Sequence, residues 1–185
     1  MNEGGWCVWI TGLPGSGKSL IARVLLEKLE SRQIRAQIVS SDILRKVITP
    51  VPKYTEEERD MVYNAILFVA KLLTQNGVNV IIDATANRRR YRDQARKAIP
   101  RFVEAYIQCR LEVCVRREAE RKAGAYYAPR DIYAKAFTGT SKTVPGVGVS
   151  YEKPLHPEVT VNSDKLDPSQ CAQEILEVII RLEET

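Results

Sequence analysis

The stretch Gly12-Leu13-Pro14-Gly15-Ser16-Gly17-Lys18-Ser19 constrains this chain more than any other. Its spacing is G-x-x-x-x-G-K-S. It follows the apolar run 6–11 and opens residues 20–30, whose apolar side chains recur at helical spacing. Glycines in such a loop let successive backbone N–H groups turn inward around phosphate oxygens, and the helix start adds positive potential. The pattern therefore predicts a buried strand, a phosphate-cradling loop and a helix N-terminus meeting at one point. It predicts a nucleoside triphosphate held by residues from Gly12 to Leu20, with Lys18 reaching the β- and γ-phosphates and the Ser19 hydroxyl on Mg²⁺. A turn that only reverses the chain needs neither the lysine nor the serine.

At 185 residues the chain suits one domain, 1–185, with a central sheet covered on both faces. The net charge of +5 fits polyanionic substrates without separating nucleotides from nucleic acid. Cys7, Cys109, Cys114 and Cys171 are dispersed, with no C-x-x-C pair and only one histidine, His156. That excludes a patterned zinc site and predicts four reduced cysteines. No signal-peptide pattern and no membrane-length apolar run is present, which predicts a soluble cytoplasmic protein.

Residues 34–39 alternate apolar with polar and end in Ser40-Ser41-Asp42, a second strand delivering an acid to the edge where open α/β sheets bind ligands. Asp42 and Arg45 stand three apart, on one side of a helical turn; Asp42 also reads as a helix N-cap. Thr55 and Glu58 signal the cap of a long helix running to about Gly77. Its spacing predicts Met61, Ala65, Phe68, Val69 and Leu72 as the buried stripe. Arg59, Tyr63 and Asn64 are candidates for a substrate wall, or else a solvated face. Residues 78–83 form a third strand closing on Asp83, a hydrophobic-then-Asp pattern that steadies Mg²⁺ through water. The run 87–92 has four arginines in six positions; Arg89 and Arg92 suit a phosphate or sulfate clamp, the alternative being a basic surface helix.

Residues 102–109 predict a fourth strand and 111–122 a helix dense in charge, with Arg116, Arg117 and Arg121 as lid arginines. From 123 to 157 the composition turns to Gly, Pro, Tyr, Thr and Lys, with one short helical piece at 131–136. So long a weakly structured insert in a compact domain suits an active-site cover. A fifth strand at 158–161 and an amphipathic helix at 168–182 complete the chain. The fold class is α/β, a three-layer P-loop NTPase fold with a five-stranded parallel sheet, helices on both faces, and a lid and cover at about 116–157.

In sequence order the P-loop, Asp42-x-x-Arg45, the charged lid helix, Phe137-Thr-Gly139 and Tyr151-Glu-x-Pro154-x-x-Pro157-Glu158 resemble the adenylylsulfate kinases over nearly the whole chain. Members of that family transfer the γ-phosphate of ATP to the ribose 3′-hydroxyl of adenosine 5′-phosphosulfate, with Mg²⁺, in sulfate assimilation. The resemblance implies Asp42 as the catalytic acid, acting with Lys18 and Arg45. It also implies Arg45 and Arg59 as substrate arginines, Lys122 as a lid lysine, and Phe137 as an aromatic over the substrate adenine. Ser19 would hold the metal, with Asp83 or else Asp42 supporting it through water. A homodimer is compatible with it.

Three departures stand out. Ser40-Ser41-Asp42 replaces the family's Asp-Gly-Asp, Arg59-Asp-Met-Val62-Tyr-Asn64 replaces Arg-x-x-Asn-x-Arg, and Ala84-Thr-Ala86-Asn87 replaces Phe-Ile-Ser-Pro, with Asp83 just before it. They keep a second acceptor class open, another small-molecule or polynucleotide hydroxyl, and nucleic acid is a partner only under that alternative. A nucleotide-dependent switch protein is disfavoured, because Asp42 and Arg45 supply acceptor chemistry.

Overall fold

A computed structural model describes residues 4–121 and 128–184. Strands β1 (Cys7–Thr11), β2 (Ala36–Ser40), β3 (Asn79–Asp83), β4 (Phe102–Gln108) and β5 (Val159–Asn162) form one parallel sheet in the order β2-β3-β1-β4-β5. Every residue of β1 is buried, as a central strand covered on both faces requires. The β2–β3 register sets Ser40 directly beside Asp83.

Helices α1 (Lys18–Glu30) and α7 (Pro168–Glu183) cover one face, where Val8, Ile10, Leu25, Leu29, Ile175 and Ile179 form a core cluster. A capping box of Asp167 and Gln170 starts α7. On the other face α3 (Glu56–Gln75) and α4 (Arg89–Ala98) pack on Trp9, Val80 and Ile82, beside α2 (Ser41–Ile48). Thr55 caps α3 by accepting from the Glu58 amide. Two further helices, α5 (Leu111–Glu120) and α6 (Ile132–Phe137), stand at the carboxyl edge and share a small cluster of Cys114, Tyr133 and Val144. No helix among the described residues is long and apolar enough to cross a membrane. All four cysteines are free thiols.

The inward face of α3 differs from the expected one. Val62, Tyr63, Ile66, Ala70 and Thr74 are buried along with Arg59, while Met61, Phe68 and Leu72 are 55%, 68% and 50% exposed. The helix carries two apolar arcs on opposite sides. Arg59 and Tyr63 make the true inner arc look polar, although both have buried partners: Arg59 donates to the Thr143 carbonyl at 2.5 Å, and the Tyr63 hydroxyl accepts from the Ala86 amide at 2.9 Å.

The arginine clamp expected on α4 is likewise turned inward on protein. Arg92 is 1% exposed; it donates to Glu104 Oε1 at 2.5 Å, to the Glu152 carbonyl at 2.6 Å and to the Ala86 carbonyl. Arg89 donates through its backbone N–H to Glu152 and through its guanidinium to the Lys153 carbonyl. These two arginines tie the chain around residues 152–153 to the sheet, and the guanidinium of Arg92 is spent on protein acceptors. Removing one partner of so buried a pair leaves an uncompensated charge, which costs about 3–5 kcal/mol. Arg92→Met is expected to lose that much unfolding free energy in urea titrations; a loss under about 1 kcal/mol, the scale of an exposed pair, would contradict this role.

Candidate active site

The P-loop is shaped from outside by what packs against it. Gly15 has φ 80°, and a Cβ there would stand 2.4 Å from the Cys114 carbonyl oxygen, so α5 seats on the loop only because this residue has no side chain. The Tyr133 hydroxyl of α6 donates to the Pro14 carbonyl at 2.8 Å, and Ser163 Oγ donates to the Ser16 carbonyl at 2.9 Å. Lys18 Nζ donates to the Leu13 carbonyl at 2.9 Å. Loop carbonyls are thereby engaged by protein donors. The buried Ser16 hydroxyl has no hydrogen-bond partner among the described residues.

Above the loop opens a cavity of about 480 Å³. Pro14, Gly15, Gly17, Lys18, Ser19 and Leu20 line its floor, whereas Leu13 faces a neighbouring groove and Gly12 and Ser16 support the loop from beneath. Strand ends and helix starts bring the other expected residues to the same cavity: Asp42 and Arg45 from α2, Arg59 and Tyr63 from α3, and Asp83 from β3. Ser19 and Asp83 line the cavity together, the serine among the groups that draw the Asp83 carboxyl down. Asp42 lies in the first turn of α2, but its side chain does not cap the helix, whose N-cap is Ser40.

The two acceptor-side arginines are differently engaged. Arg59 spends its donors on the Tyr54 and Thr143 carbonyls and on Asn87, so it latches the cover to α3 while lining the cavity. Arg45 is buried with its guanidinium carbon 5.0 Å from the centre of the Tyr54 ring, and its Nη1 has no hydrogen-bond partner among the described residues. A buried cation with an unused donor at a cavity wall suits an anion.

The lid residues divide. Arg117 and Arg121 line the cavity, the former donating to Ser163 and the latter to the Pro129 carbonyl; Arg116 points outward on α5 and is exposed. Lys122 lies outside the described residues. Phe137 is 61% exposed and absent from the cavity wall. Helix α6 commits Tyr133 to the P-loop, and Phe137, one turn on, stacks against the Tyr133 ring at 6.5 Å. The structure also brings Tyr54, Arg130 and Lys135 to the cavity, which the sequence reading passed over. Tyr54 sits at φ 57° in a Pro-containing loop, and no periodicity marks such a residue.

The adenylylsulphate kinase family matches residues 4–162 of this chain. The chain belongs to that family. A probable adenylyl-sulfate kinase of Archaeoglobus fulgidus is 37% identical over 160 residues, covering 86% of this chain and 97% of the relative. One from Pyrococcus abyssi is 34% identical over 172 residues, 93% of each. The Mycobacterium tuberculosis APS kinase solved in complex with AMPPNP and APS superposes with a TM-score of 0.84 at 28% identity, over 96% of this chain and 98% of that one. This family member is accordingly an ATP-dependent kinase with a hydroxyl acceptor.

Within the site, three ionisable groups face the same cavity. Burial pulls the Lys18 ammonium below its usual range, with Asp83 and Asp42 opposing. Burial likewise holds both carboxyls above theirs, Asp83 against the pull of Lys18, and Asp42 further raised by Asp83. A carboxyl with a raised native pKa holds its proton more tightly in the folded chain. It therefore costs stability as the pH climbs from the unfolded value through the folded one, and nothing below both. Asp42→Asn is expected to melt higher than wild type at pH 7 without nucleotide, with the difference fading at about pH 3; thermal unfolding at the two pH values checks it.

Proposed function

We propose that this kinase transfers the γ-phosphate of ATP to the ribose 3′-hydroxyl of adenosine 5′-phosphosulfate, and that the cavity above the P-loop is where it does so. The observation carrying this reading is Arg45, a buried guanidinium with an unused donor three residues from Asp42 on the same helix. That pairing offers an anion grip beside a hydroxyl-activating carboxylate. Phosphoryl transfer needs in-line placement and charge neutralisation more than covalent help. Lys18 and the loop amides hold the β- and γ-oxygens, Asp42 takes or orients the acceptor proton, and Arg45 grips the acceptor's anionic group. Arg59 lines the same cavity and ties the cover to it. Arg117 and Arg121 stand where the lid closes over the phosphates.

The donor set at the loop fits Mg²⁺. The Ser19 hydroxyl and the Asp83 carboxylate are hard oxygens on the wall of one cavity, and Mg²⁺ takes one or two such ligands plus phosphate and water. When bound, the ion neutralises charge on the phosphates. We further take the enzyme to act in the cytoplasm and as a homodimer.

Labelled ATP offered with a panel of acceptors tests the substrate. Label passing to adenosine phosphosulfate is expected; transfer only to a sugar acid or to a polynucleotide 5′-hydroxyl would overturn the assignment. Lys18→Ala is expected to leave a folded protein with under about a tenth of wild-type turnover, because the ammonium acts on transition-state charge. Asp42→Asn should retain ATP binding, read by calorimetry, while transfer to every acceptor falls. A rise in the ATP Michaelis constant alone would instead make Asp42 a metal support.

A further inference from the structure

The start of α3 grips the loop that precedes it. Thr55 is the N-cap, and its Oγ1 accepts from the Glu58 amide at 3.3 Å. In a reciprocal capping box the carboxylate at the third helical position would accept from the N-cap amide in return. The Glu58 carboxylate reaches past the cap instead: Oε2 accepts from the Lys53 amide at 2.8 Å and from the Tyr54 amide at 2.6 Å. Tyr54 needs such a hold, because it sits at φ 57°. A bulky residue keeps that left-handed backbone only where its surroundings enforce it, and such residues gather at functional sites. Arg59 takes the other end of the same residue, its Nε donating to the Tyr54 carbonyl at 3.3 Å.

The ring so placed lies 5.0 Å from the guanidinium carbon of Arg45, within cation–π reach, and both residues line the cavity. A ring face attracts the cation without using up its N–H donors, and Nη1 of Arg45 stays unpartnered among the described residues. Glu58 itself stands outside the cavity wall. We infer that Glu58 is the positioning residue of the acceptor site: its carboxylate fixes the left-handed Tyr54, and the Tyr54 ring seats Arg45 with a donor kept for the acceptor's anionic group. The inference rests on the reading of Arg45 as that anion grip and adds what holds it in place. One carboxylate oxygen meeting two successive amides pins both peptide units, which a longer or rotating contact to the ring alone would not do. An acceptor that needs a preset guanidinium binds in proportion to the fraction of molecules that have it preset. Releasing Tyr54 therefore weakens the acceptor and leaves ATP alone, since Lys18 and the loop amides belong to other elements.

Steady-state kinetics test this, with ATP and the acceptor that takes label in the panel above varied in turn. Glu58→Ala is expected to raise the Michaelis constant for the acceptor about tenfold, as a fall of the preset fraction to about a tenth would, with kcat within about threefold and the ATP constant unchanged. Glu58→Gln keeps one carbonyl oxygen for both amides and should stay within about threefold of wild type. Thr55→Ala removes the cap of the same helix and should lower the melting temperature while leaving the acceptor constant unchanged. If Thr55→Ala raised that constant as much as Glu58→Ala does, Glu58 would be a helix cap and the inference would fall. It would fall too if the ATP and acceptor constants rose together in Glu58→Ala. With Arg45→Ala already present, Glu58→Ala should add less than about twofold; a full tenfold there would overturn the route through Arg45. An acceptor constant untouched by Arg45→Ala would overturn the anion grip and this inference with it. A large rise with Arg45→Ala beside none with Glu58→Ala would overturn the positioning role alone.

Discussion

The seating of α5 on the P-loop is the contact on which the rest of the site depends. Because Gly15 has no Cβ, the backbone of Cys114 comes close enough to fix the loop from outside, and Tyr133 and Ser163 hold two more of its carbonyls. The Leu13 carbonyl is met within the motif, by the Ser16 amide and the Lys18 ammonium, whereas the Pro14 and Ser16 carbonyls take their donors from outside it. The donors come from parts of the chain far apart in sequence. Helix α6 and the turn after β5 are therefore tied to the loop by hydrogen bonds, and α5 by close packing at Gly15, as much as by any apolar core.

Arginine illustrates how position decides role. Arg92, Arg59 and Arg45 are all nearly buried, yet they do three different things. Arg92 is locked to Glu104 and to carbonyls and is part of the scaffold. Arg59 spends its donors on the cover, so it couples α3 to the segment that roofs the cavity. Arg45 alone of the three keeps a buried nitrogen without a protein partner among the described residues. The carbonyls and carboxylates that surround each guanidinium set this difference, and residue type does not report it.

The five strands, the P-loop and the acids at strand ends were legible because each is written in short contiguous patterns: an apolar run, a glycine spacing, a strand that stops at a carboxylate. The α3 face was not, because two apolar arcs share one helix and the buried one carries Arg59 and Tyr63, whose partners arrive from Thr143 and Ala86. The contact of Tyr133 was hidden for a similar reason: its hydroxyl meets the Pro14 carbonyl, and nothing in the Gly- and Pro-rich cover marks that partner. Long-range partners decide such residues, and no local spacing contains them.

The β2–β3 register has a consequence for the field at the mouth of the loop. Ser40, where the resemblance places the first acid of Asp-Gly-Asp, is directly beside Asp83. Neighbouring strands lie about 4.8 Å apart, so the end of β3 brings a carboxylate to the same sheet edge that the end of β2 leaves without one. Lys18 therefore meets negative charge from two directions, Asp83 on the neighbouring strand and Asp42 on the helix that follows β2.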